Sequence, residues 1–502
     1  MGNDLILSID IGTSATKALL FDADLNQKAI SRRTNPIHTM QNGWSEQDPD
    51  NLFNGVLDAM TEVLHANQPD NHLAGVVFSS QMYSVLAVDP YGKPLTGSIT
   101  WLDNRAAEVA FNLRHHPLAA QVCQTTGCPI DAIYPLSKIV WMREHGQISS
   151  KIRFISIKDY ILYRLTGRCV ADWTIGSSSG LMDIQRKKWD PTALSLAGLT
   201  LENLPELLSP KSILTGWDQR LAEKAGIPPR TPIILGSGDG PLASVGVGAL
   251  TSDILAINVG TSAAARCVLT KPTTDPNEHL YTQVLDEEHW VMGGMTSSGG
   301  IIYEWFLNEF CSQVNSEGIP TITSIERNKL EQLATEVPPG SDGLIFIPYL
   351  SGEQSPDWQP NTRGSFTGLK LGHTRGHLAR SVLEGITRSI YRIAEAFQTV
   401  PVFQDIQFRE IRVTGGLATS PLWLQITADM FGIPVVVPEL AEGSARGAAI
   451  LGWSSLGRLT TMQDYSKSFQ AKTRIEPRNE IHAYYQNQPY KEYLDCARNA
   501  RS

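Results

Sequence analysis

Two short segments of the sequence combine glycine with hydroxyl side chains in a way that suits phosphate binding. They are Gly12-Thr13-Ser14 and Gly260-Thr261-Ser262, and an apolar run with β-branched residues precedes each of them. Glycine lets the backbone approach a ligand closely, successive N–H groups can face anionic oxygens, and the hydroxyl groups add neutral donors. The pattern therefore predicts two turns that contact the phosphates of a nucleotide such as ATP.

Three charged residues could complete the chemistry of phosphoryl transfer. Lys17 could bring a positive charge close to the terminal phosphate, and Asp10 could hold Mg²⁺, usually through water. Asp239 lies in the glycine-rich segment 236–240. Transfer to an alcohol needs a base that takes the hydroxyl proton, so Asp239 is the predicted catalytic residue, in contact with the acceptor and the metal. The alternative is that Asp239 only closes an Asx-turn between glycines.

Two further glycine pairs and one helix start could contribute to a nucleotide site. Gly299-Gly300 follows a run of Thr and Ser, and Gly415-Gly416 follows a β-branched run. Ser420 then precedes a proline, which is typical of a helix N-cap and first turn. A flat ligand such as adenine could lie against these residues, although tight packing is the alternative for each pair.

The residues around the two Gly-Thr-Ser turns form an internal repeat. Residues 6–15 recur as residues 254–263, with seven of the ten positions identical, and the offset of 254 − 6 = 248 is close to half of the 502-residue chain. A tandem duplication leaves this kind of spacing. Each copy therefore predicts a buried strand that bends into a hairpin.

Helical patterns flank these strands and give each half an alternating α/β character. Apolar residues at helical spacing follow Asp48-Pro49, and a second such stripe runs from Leu378 to Phe397. We predict an N-terminal domain of residues 1–247 and a C-terminal domain of residues 248–502, joined at about residues 246–251, where a hinge could let the halves close on a ligand. A helical appendage from about residue 464 should pack on the second domain.

The composition excludes several classes of partner. The net charge of −9 offers no basic surface for nucleic acid or anionic lipid. No apolar run approaches the roughly 20 residues of a membrane helix, and the N-terminus lacks the features of a signal peptide, so we expect a cytoplasmic protein. The six cysteines lack metal-ligand spacing and are predicted to be reduced packing residues.

The sequence lacks a Walker A motif and the motif set of protein kinases. Instead, two segments resemble the signatures of the FGGY family of carbohydrate kinases, and the resemblance covers nearly the whole chain. The first segment has Ile133 where the family usually has a small or aromatic residue, and it continues as Tyr134-Pro135-x-x-Lys138-Ile139-x-Trp141-Met142. The second, more specific, segment is Gly364-Ser365-Phe366-Thr367-Gly368-Leu369, followed by His377-Leu378 and Ser381-Val382-Leu383-Glu384.

This resemblance implies an α/β fold of two duplicated ribonuclease H-like domains, of the actin and hexokinase type, with a cleft between them. It implies ATP and Mg²⁺ as cofactors, Asp239 as general base, Asp10 as the acid associated with Mg²⁺, and Thr13 and Thr261 as phosphate contacts. It also assigns Gly299, Gly300, Gly415 and Gly416 to the nucleotide site. The implied sugar side comprises Gln81, Met82, Tyr83, Trp101, Asp103 and Arg105. A purely structural role is the alternative for each of them, above all packing for Met82 and Trp101.

Segments 80–84, 99–105 and 135–138 resemble gluconate kinases more than xylulose or glycerol kinases, which makes D-gluconate the leading substrate. Arg105 and Lys138 could pair with a sugar-acid carboxylate, but both positions are basic in relatives that bind neutral sugars, so charge does not decide the substrate. A ketopentose such as xylulose is the alternative within the class. An actin-like, ATP-switched binding module is the alternative of another class. A sensor that has lost catalysis is disfavoured by the retention of Asp10, Thr13, Asp239 and Thr261. The sequence is compatible with assembly as a homodimer.

Overall fold

The structure is a computed structural model that describes residues 4–40, 43–66, 72–146, 151–314, 320–439, 442–459, 461–467 and 469–500. Its contacts divide the chain into two units. Unit 1 comprises Met1–Leu250, Val268–Met292 and Glu442–Ser468, and unit 2 comprises Thr251–Cys267, Gly293–Ala441 and Phe469–Ser502. Each unit therefore combines segments that are far apart in the sequence.

The strands and helices of both units are numbered here in chain order. The strands are β1 Asp4–Ile11, β2 Ala15–Asp22, β3 Gln27–Thr34, β4 His38–Thr39, β5 Ser45–Gln47, β6 His72–Ser80, β7 Leu86–Val88, β8 Ser98–Ile99, β9 Arg153–Ile155, β10 Val170–Asp172, β11 Met182–Asp183, β12 Lys188–Trp189, β13 Glu206–Leu208, β14 Ile213–Leu214, β15 Ile233–Gly238, β16 Ile254–Val259, β17 Ala263–Leu269, β18 Tyr281–Val284, β19 Trp290–Thr296, β20 Gln313–Val314, β21 Pro320–Thr321, β22 Ile345–Ile347, β23 Ser365–Thr367, β24 Glu410–Gly415, β25 Val435–Pro438 and β26 Ala471–Ile475. The helices are α1 Pro49–His65, α2 Ala107–Arg114, α3 Ala119–Thr126, α4 Pro135–Glu144, α5 Ile157–Thr166, α6 Trp173–Ser177, α7 Pro191–Ala197, α8 Gln219–Ala225, α9 Asp239–Gly246, α10 Gly300–Phe306, α11 Ser324–Glu336, α12 Arg375–Phe397, α13 Pro421–Phe431, α14 Gly443–Ser455, α15 Met462–Lys467, α16 Asn479–Gln486 and α17 Gln488–Asn499.

The main sheet of unit 1 has the strand order β14-β15-β6-β1-β2-β3. β1 and β2 form an antiparallel hairpin around the first Gly-Thr-Ser turn, as the sequence predicts, and β3 continues it. β6 runs parallel to β1, and β15 runs parallel to β6. The carboxyl ends of β1, β6 and β15 consequently lie at one edge of the sheet.

Helix α1 covers part of this sheet and confirms the first predicted helical stripe. Asp48 caps the helix by accepting the backbone N–H groups of Asp50 and Asn51, and Pro49 occupies the first turn. Its apolar face is buried in a cluster with side chains of β1, β6 and β15. This packing holds the strands whose ends carry the predicted site residues.

Helices α9 and α14 approach each other closely within unit 1 because glycines line their contact. A Cβ atom on Gly246 would lie 2.0 Å from the carbonyl oxygen of Gly443, and one on Gly447 would lie 1.9 Å from that of Leu242. Ser8 of β1 also donates a hydrogen bond to the carbonyl of Ala445. A segment from the C-terminal part of the sequence is thereby fixed beside the first hairpin.

Unit 2 contains the second copy of the repeat. β16 and β17 form an antiparallel hairpin around the second Gly-Thr-Ser turn, so this predicted hairpin is also confirmed. β24 runs parallel to β16 on its other side, β25 runs parallel to β24, and β26 pairs antiparallel with β25. The parallel pair β16 and β24 repeats the arrangement of β1 and β6.

Residues Phe469–Ser502, which form most of the C-terminal segment, belong to unit 2, whereas residues 464–467 belong to unit 1. Tyr490 and Tyr493 of α17 join a buried cluster with Ile345, Ile347 and Tyr349. The second predicted helical stripe lies on α12, whose apolar face is buried. In the portion of the chain that the structure describes, no helix is both long and apolar enough to cross a bilayer.

Candidate functional site

The carboxyl ends of three parallel strands bring predicted site residues together in unit 1. Asp10 of β1 lies opposite Ser79 of β6, and Ser80 of β6 lies opposite Gly238 of β15. Neighbouring strands are about 4.8 Å apart, and only β6 separates the strand that carries Asp10 from the strand that ends before Asp239. In open α/β sheets, ligands bind at the carboxyl ends of parallel strands.

Asp10 is almost completely buried at this edge. Ser79 donates a hydrogen bond from its Oγ to the Asp10 carboxylate over 2.7 Å. Burial raises the pKa of Asp10, the charge of Glu442 acts in the same direction, and the Ser79 hydrogen bond and the charge of Lys17 oppose the change. A buried carboxylate with few fixed partners suits a cation that is also held by phosphate oxygens and water.

Lys17 forms an ion pair with Glu442, the residue that precedes α14. Its Nζ lies 2.5 Å from a carboxylate oxygen of Glu442, and about a quarter of its side chain is exposed. The structure therefore brings Lys17 close to the first turn, but it gives this cation a protein partner. The predicted contact of Lys17 with a terminal phosphate remains a prediction.

Three side chains surround the first Gly-Thr-Ser turn. Asn35 donates from Nδ2 to the carbonyl of Gly12 over 2.7 Å, and Gln47 donates from Nε2 to the carbonyl of Thr13 over 2.8 Å. The indole N–H of Trp101 donates to the Thr13 hydroxyl over 2.9 Å. Trp101, which is predicted to lie on the sugar side, thus also contacts the predicted phosphate turn.

Asp239 is the first residue of α9 and follows directly after the end of β15. The strand end needs glycine, because a Cβ atom on Gly236 would lie 1.6 Å from the carbonyl oxygen of Phe78 and one on Gly238 would lie 2.6 Å from the sulfur of Met82. The glycine-rich segment therefore brings the backbone before Asp239 against the predicted sugar-side residue Met82. Asp239 itself is partly exposed.

The predicted sugar-side residues Gln81, Met82 and Tyr83 follow β6 and are buried. Gln81 donates from Nε2 to the side-chain oxygen of Gln47 over 2.7 Å, which connects this segment to the first turn. Tyr83 has a positive φ of 65°, a conformation that costs free energy in a residue other than glycine.

Lys138 holds the sugar-side segments together. Its buried Nζ donates to the carbonyl oxygens of Tyr83 at 2.9 Å, Thr100 at 2.8 Å and Ile133 at 2.8 Å. Burial lowers the pKa of Lys138 to about 7, and the charge of Asp103 opposes this change. An ammonium has three donors, so this arrangement does not support direct pairing of Lys138 with a substrate carboxylate.

Arg105 is also engaged by protein groups. Its Nε and Nη2 each lie 2.8 Å from a different carboxylate oxygen of Asp103, and its Nη2 lies 2.7 Å from Glu46. Its guanidinium lies over the rings of Trp44 and Trp141. Only 4% of the Arg105 side chain is exposed. The predicted residues Asp103 and Arg105 therefore form one rigid pair, and a substrate carboxylate would have to compete with two protein carboxylates for this cation.

In unit 2, the second Gly-Thr-Ser turn lies against the start of α10. The backbone N–H groups of Gly300 and Ile301 donate to the carbonyls of Gly260 and Thr261 over 2.7 and 3.2 Å. A Cβ atom on Gly299 would lie 2.3 Å from the backbone carbon of Ser262. The structure thus brings the predicted glycine pair and the predicted turn into direct contact.

Gly415 lies beside the carboxyl end of β16, the strand that leads into the second Gly-Thr-Ser turn. It pairs with Val259 of β16, has a positive φ of 99°, and a Cβ atom on it would lie 2.2 Å from the carbonyl oxygen of Val259. Gly416 has open space where a Cβ would be. Ser420 caps α13, as predicted, and its hydroxyl donates to Glu331 over 2.6 Å. The predicted nucleotide residues of unit 2 are therefore grouped at the carboxyl ends of β16 and β24, with Ser420 at the start of the following helix.

Sequence reasoning missed several of the described residues that contact the first hairpin, among them Asn35, Gln47, Ser79 and Glu442. Gln47 is 34 positions from Thr13, and Glu442 is 425 positions from Lys17, so no spacing pattern connects them. Within the described ranges, no group of three or more His, Cys, Asp or Glu side chains is arranged to hold a metal ion.

Known proteins resemble this chain over nearly all of its length. The model of the N-terminal domain of the FGGY family of carbohydrate kinases matches residues 5–246, and the model of the C-terminal domain of that family matches residues 255–456. The gluconokinase of Bacillus licheniformis is 37% identical over 95% of this chain and 92% of its own length. A xylulose kinase of Staphylococcus epidermidis is 28% identical over 97% of this chain and 95% of its own length.

Two solved structures share the fold. The gluconate kinase from Lactobacillus acidophilus has a TM-score of 0.90 and 29% identity, over 99% of this chain and 98% of that one. The ligand-bound xylulose kinase from Lactobacillus acidophilus has a TM-score of 0.90 and 30% identity, over the same shares. The fold is thus common to kinases that act on different sugars.

Proposed function

Because the chain belongs to the FGGY family of carbohydrate kinases, we propose that it transfers the terminal phosphate of ATP to D-gluconate and forms 6-phosphogluconate. The observation that carries gluconate is the higher identity to a gluconokinase than to a xylulose kinase, 37% against 28%, over nearly the whole chain in both cases. The solved structures do not separate the two sugars, since both have the same TM-score. Xylulose is therefore the second candidate substrate.

In the proposed reaction, Asp239 removes the proton from the terminal hydroxyl of the sugar acid. Asp239 begins α9 directly after Gly238, whose backbone lies against the sugar-side residue Met82, and this position supports the role. The freed hydroxyl oxygen then attacks the terminal phosphorus, and the bond to the bridging oxygen of ADP breaks. The predicted phosphate contacts of Thr13 and Thr261 would hold the phosphates during transfer.

Asp10 is the residue proposed to associate with Mg²⁺. A single buried carboxylate at the strand edge fits this ion, because Mg²⁺ in kinases is bound by one or two carboxylates together with phosphate oxygens and water. When bound, Mg²⁺ neutralises charge that develops on the phosphates. The structure places Lys17 and Glu442 near this carboxylate, where their opposite charges both act on it.

Arg105 and Lys138, the two cations that the sequence suggested for binding a substrate carboxylate, already have protein partners. We therefore propose that Lys138 supports the site by holding Tyr83 and Thr100, and that Arg105 orders the sugar side through Asp103 and Glu46. Under this proposal, neither of these two cations pairs directly with the carboxylate of the sugar acid. This differs from the direct pairing with a cation that the sequence suggested.

The test is a coupled assay of the purified protein with MgATP and a panel of gluconate, xylulose, glycerol and related sugars. The expected result is a kcat/KM for gluconate at least about tenfold above that for any other sugar, a ratio within reach of pocket contacts alone. A smaller preference would reject gluconate and retain the kinase. ATP hydrolysis that needs no sugar and survives Asp239→Asn would instead favour an ATP-switched binding module.

A further inference from the structure

The first Gly-Thr-Ser turn is held through its carbonyl oxygens by two buried or nearly buried amide side chains. Asn35 and Gln47 are 3% and 1% exposed, and they donate to the carbonyls of Gly12 and Thr13. Both amides have a second partner, because Asn35 accepts a hydrogen bond from Thr16, and Gln47 accepts one from Gln81. Their orientation is therefore fixed from two sides.

Peptide geometry converts this anchoring into a direction for the N–H groups of the turn. A trans peptide is planar, and its C=O and N–H bonds point in opposite directions. The carbonyl of Gly12 shares a peptide with the N–H of Thr13, and the carbonyl of Thr13 shares one with the N–H of Ser14. Asn35 therefore directs the N–H of Thr13 away from the Asn35 amide, and Gln47 directs the N–H of Ser14 away from the Gln47 amide.

The second copy of the turn anchors the matched carbonyls by another means. With the offset of 248, Gly260 and Thr261 correspond to Gly12 and Thr13, and their carbonyls accept backbone N–H groups from Gly300 and Ile301. The same two oxygens are thus held in both copies, although unrelated groups hold them. Because different groups bind the same two carbonyls in the two copies, we infer that anchoring these carbonyls is important for the function of the turns.

We propose that Asn35 and Gln47 are positioning residues that aim the N–H groups of Thr13 and Ser14 at the phosphates of the nucleotide. The proposal rests on the proposed function, in which this turn contacts phosphate. Under this proposal each residue acts through the backbone of the turn, by holding a carbonyl oxygen, and need not touch the ligand. Gln47 also connects the turn to the sugar-side residue Gln81. Substitution of Gln47 should therefore lower kcat as well as nucleotide affinity.

The test compares Asn35→Leu and Gln47→Met with the wild type by calorimetry. The ligands are adenylyl imidodiphosphate with Mg²⁺, which carries three phosphates, and adenosine, which carries none. The affinity for the triphosphate should fall roughly 10- to 100-fold, because a buried carbonyl loses its partner, while the affinity for adenosine should not change. An equal loss for both ligands, or no loss for the triphosphate in folded variants, would overturn the proposal.

A matched control distinguishes this effect on nucleotide affinity from a general loss of stability. Asn203 of unit 1 also donates from Nδ2 to a carbonyl, that of Ile152 at 2.9 Å, and it accepts a hydrogen bond from the Thr200 hydroxyl. Asn203→Leu removes the same kind of amide away from the turn. It should lower the melting temperature to a similar degree as Asn35→Leu and leave the affinity for the triphosphate unchanged.

Gln47→Glu adds a readout that a purely structural role would not change. Its ionised carboxylate cannot donate to the Thr13 carbonyl, whereas the protonated acid can, and burial raises the pKa of such a group. The triphosphate affinity of Gln47→Glu should therefore recover as the pH falls, and that of Gln47→Met should not. Recovery in neither variant would contradict the proposal. If the wild type phosphorylates no sugar but these binding effects appear, the proposed function fails and the positioning role stands.

Discussion

The two copies of the repeated hairpin have the same strand pairing but different charges at matched positions. In unit 1, Asp10 lies opposite Ser79 of the parallel neighbour strand and accepts its hydrogen bond. In unit 2, the matched residue Asn258 lies opposite Thr414 and donates to its hydroxyl over 2.8 Å. Both side chains are bound to a hydroxyl on the adjacent strand, yet only the first copy has a carboxylate.

This difference distinguishes the requirements of folding at this position from those of catalysis. Asn258 shows that a neutral amide at this position is compatible with the fold of the hairpin. Asp10 fills the same position with a carboxylate whose pKa is raised by burial, so the folded protein is less stable when Asp10 is ionised. A residue that lowers stability where a neutral one would suffice indicates a functional role.

The largest effect should follow from removing the carboxylate of Asp239, the proposed general base of unit 1. Asp239→Asn keeps the shape of the side chain and removes the proposed base, so kcat should fall by about 10²- to 10⁴-fold. The measurement is steady-state turnover with gluconate and MgATP. Affinity for adenylyl imidodiphosphate, measured by calorimetry, should stay close to that of the wild type.

Asp24→Asn is the control for this substitution, because Asp24 is an exposed aspartate in the turn between β2 and β3. It should retain full turnover. Turnover of Asp239→Asn within a few-fold of the wild type would reject the role of general base.

The comparison itself can be tested by exchanging the two matched side chains. Asp10→Asn gives the first copy the residue of the second, and it should lower kcat/KM by roughly 100-fold or more, because charge neutralisation at the phosphates contributes several kcal/mol. Asn258→Asp makes the opposite exchange and should have a much smaller effect on activity. Similar losses in both variants would show that the two copies do not differ in function.

Asp10→Asn, which should lower activity, should raise the stability of the folded protein. The pKa of Asp10 is raised in the folded state, so its contribution favours folding at low pH and is lost as the pH rises through that value. Asp10→Asn should therefore have a higher free energy of unfolding than the wild type at pH 7. Urea unfolding of the ligand-free protein at several pH values should show this gap narrowing towards acid pH, and a variant that is less stable at pH 7 would contradict this account.

A smaller effect should come from the glycines that anchor the second turn. Gly299→Ala places a Cβ atom 2.3 Å from the backbone of Ser262, so the turn or α10 must shift. Overpacking of this kind costs about 1–3 kcal/mol, which corresponds to a loss in nucleotide affinity of up to about 100-fold if the turn moves. Gly372→Ala of unit 2 is the control, since nothing lies within 4 Å of its Cβ position and it is not among the predicted nucleotide residues. Equal affinities of the two variants would contradict the importance of this contact.

The sequence was sufficient for the parts of the fold that depend on local patterns. The repeat predicted both hairpins, the cap at Asp48 predicted α1, and Ser420 predicted the start of α13. These features depend on residues that are close in the chain, where strand alternation, capping and helical spacing act directly.

The partners of the predicted charges could not be read from the sequence. Lys138 and Arg105 were candidates for binding a carboxylate because the sequence shows a charge but not its surroundings. In the fold, Lys138 binds three carbonyls, and Arg105 binds two carboxylates, one of which is Glu46. The contact of Lys17 with Glu442 likewise depends on the packing of α14 in unit 1, which no local pattern encodes.

The smallest effect we expect concerns the hydroxyl of Thr13, which accepts the indole N–H of Trp101. With its oxygen held in this way, the hydroxyl hydrogen can donate to a phosphate oxygen. Trp101→Phe keeps an aromatic ring and removes the N–H, so kcat/KM for MgATP should fall by roughly fivefold, the value of about one hydrogen bond. Trp189→Phe is the matched control, because it removes an indole N–H that donates to the carbonyl of Pro205 at 3.0 Å. If Trp101 instead acts mainly on the sugar, Trp101→Phe should raise the KM for gluconate and leave that for MgATP unchanged.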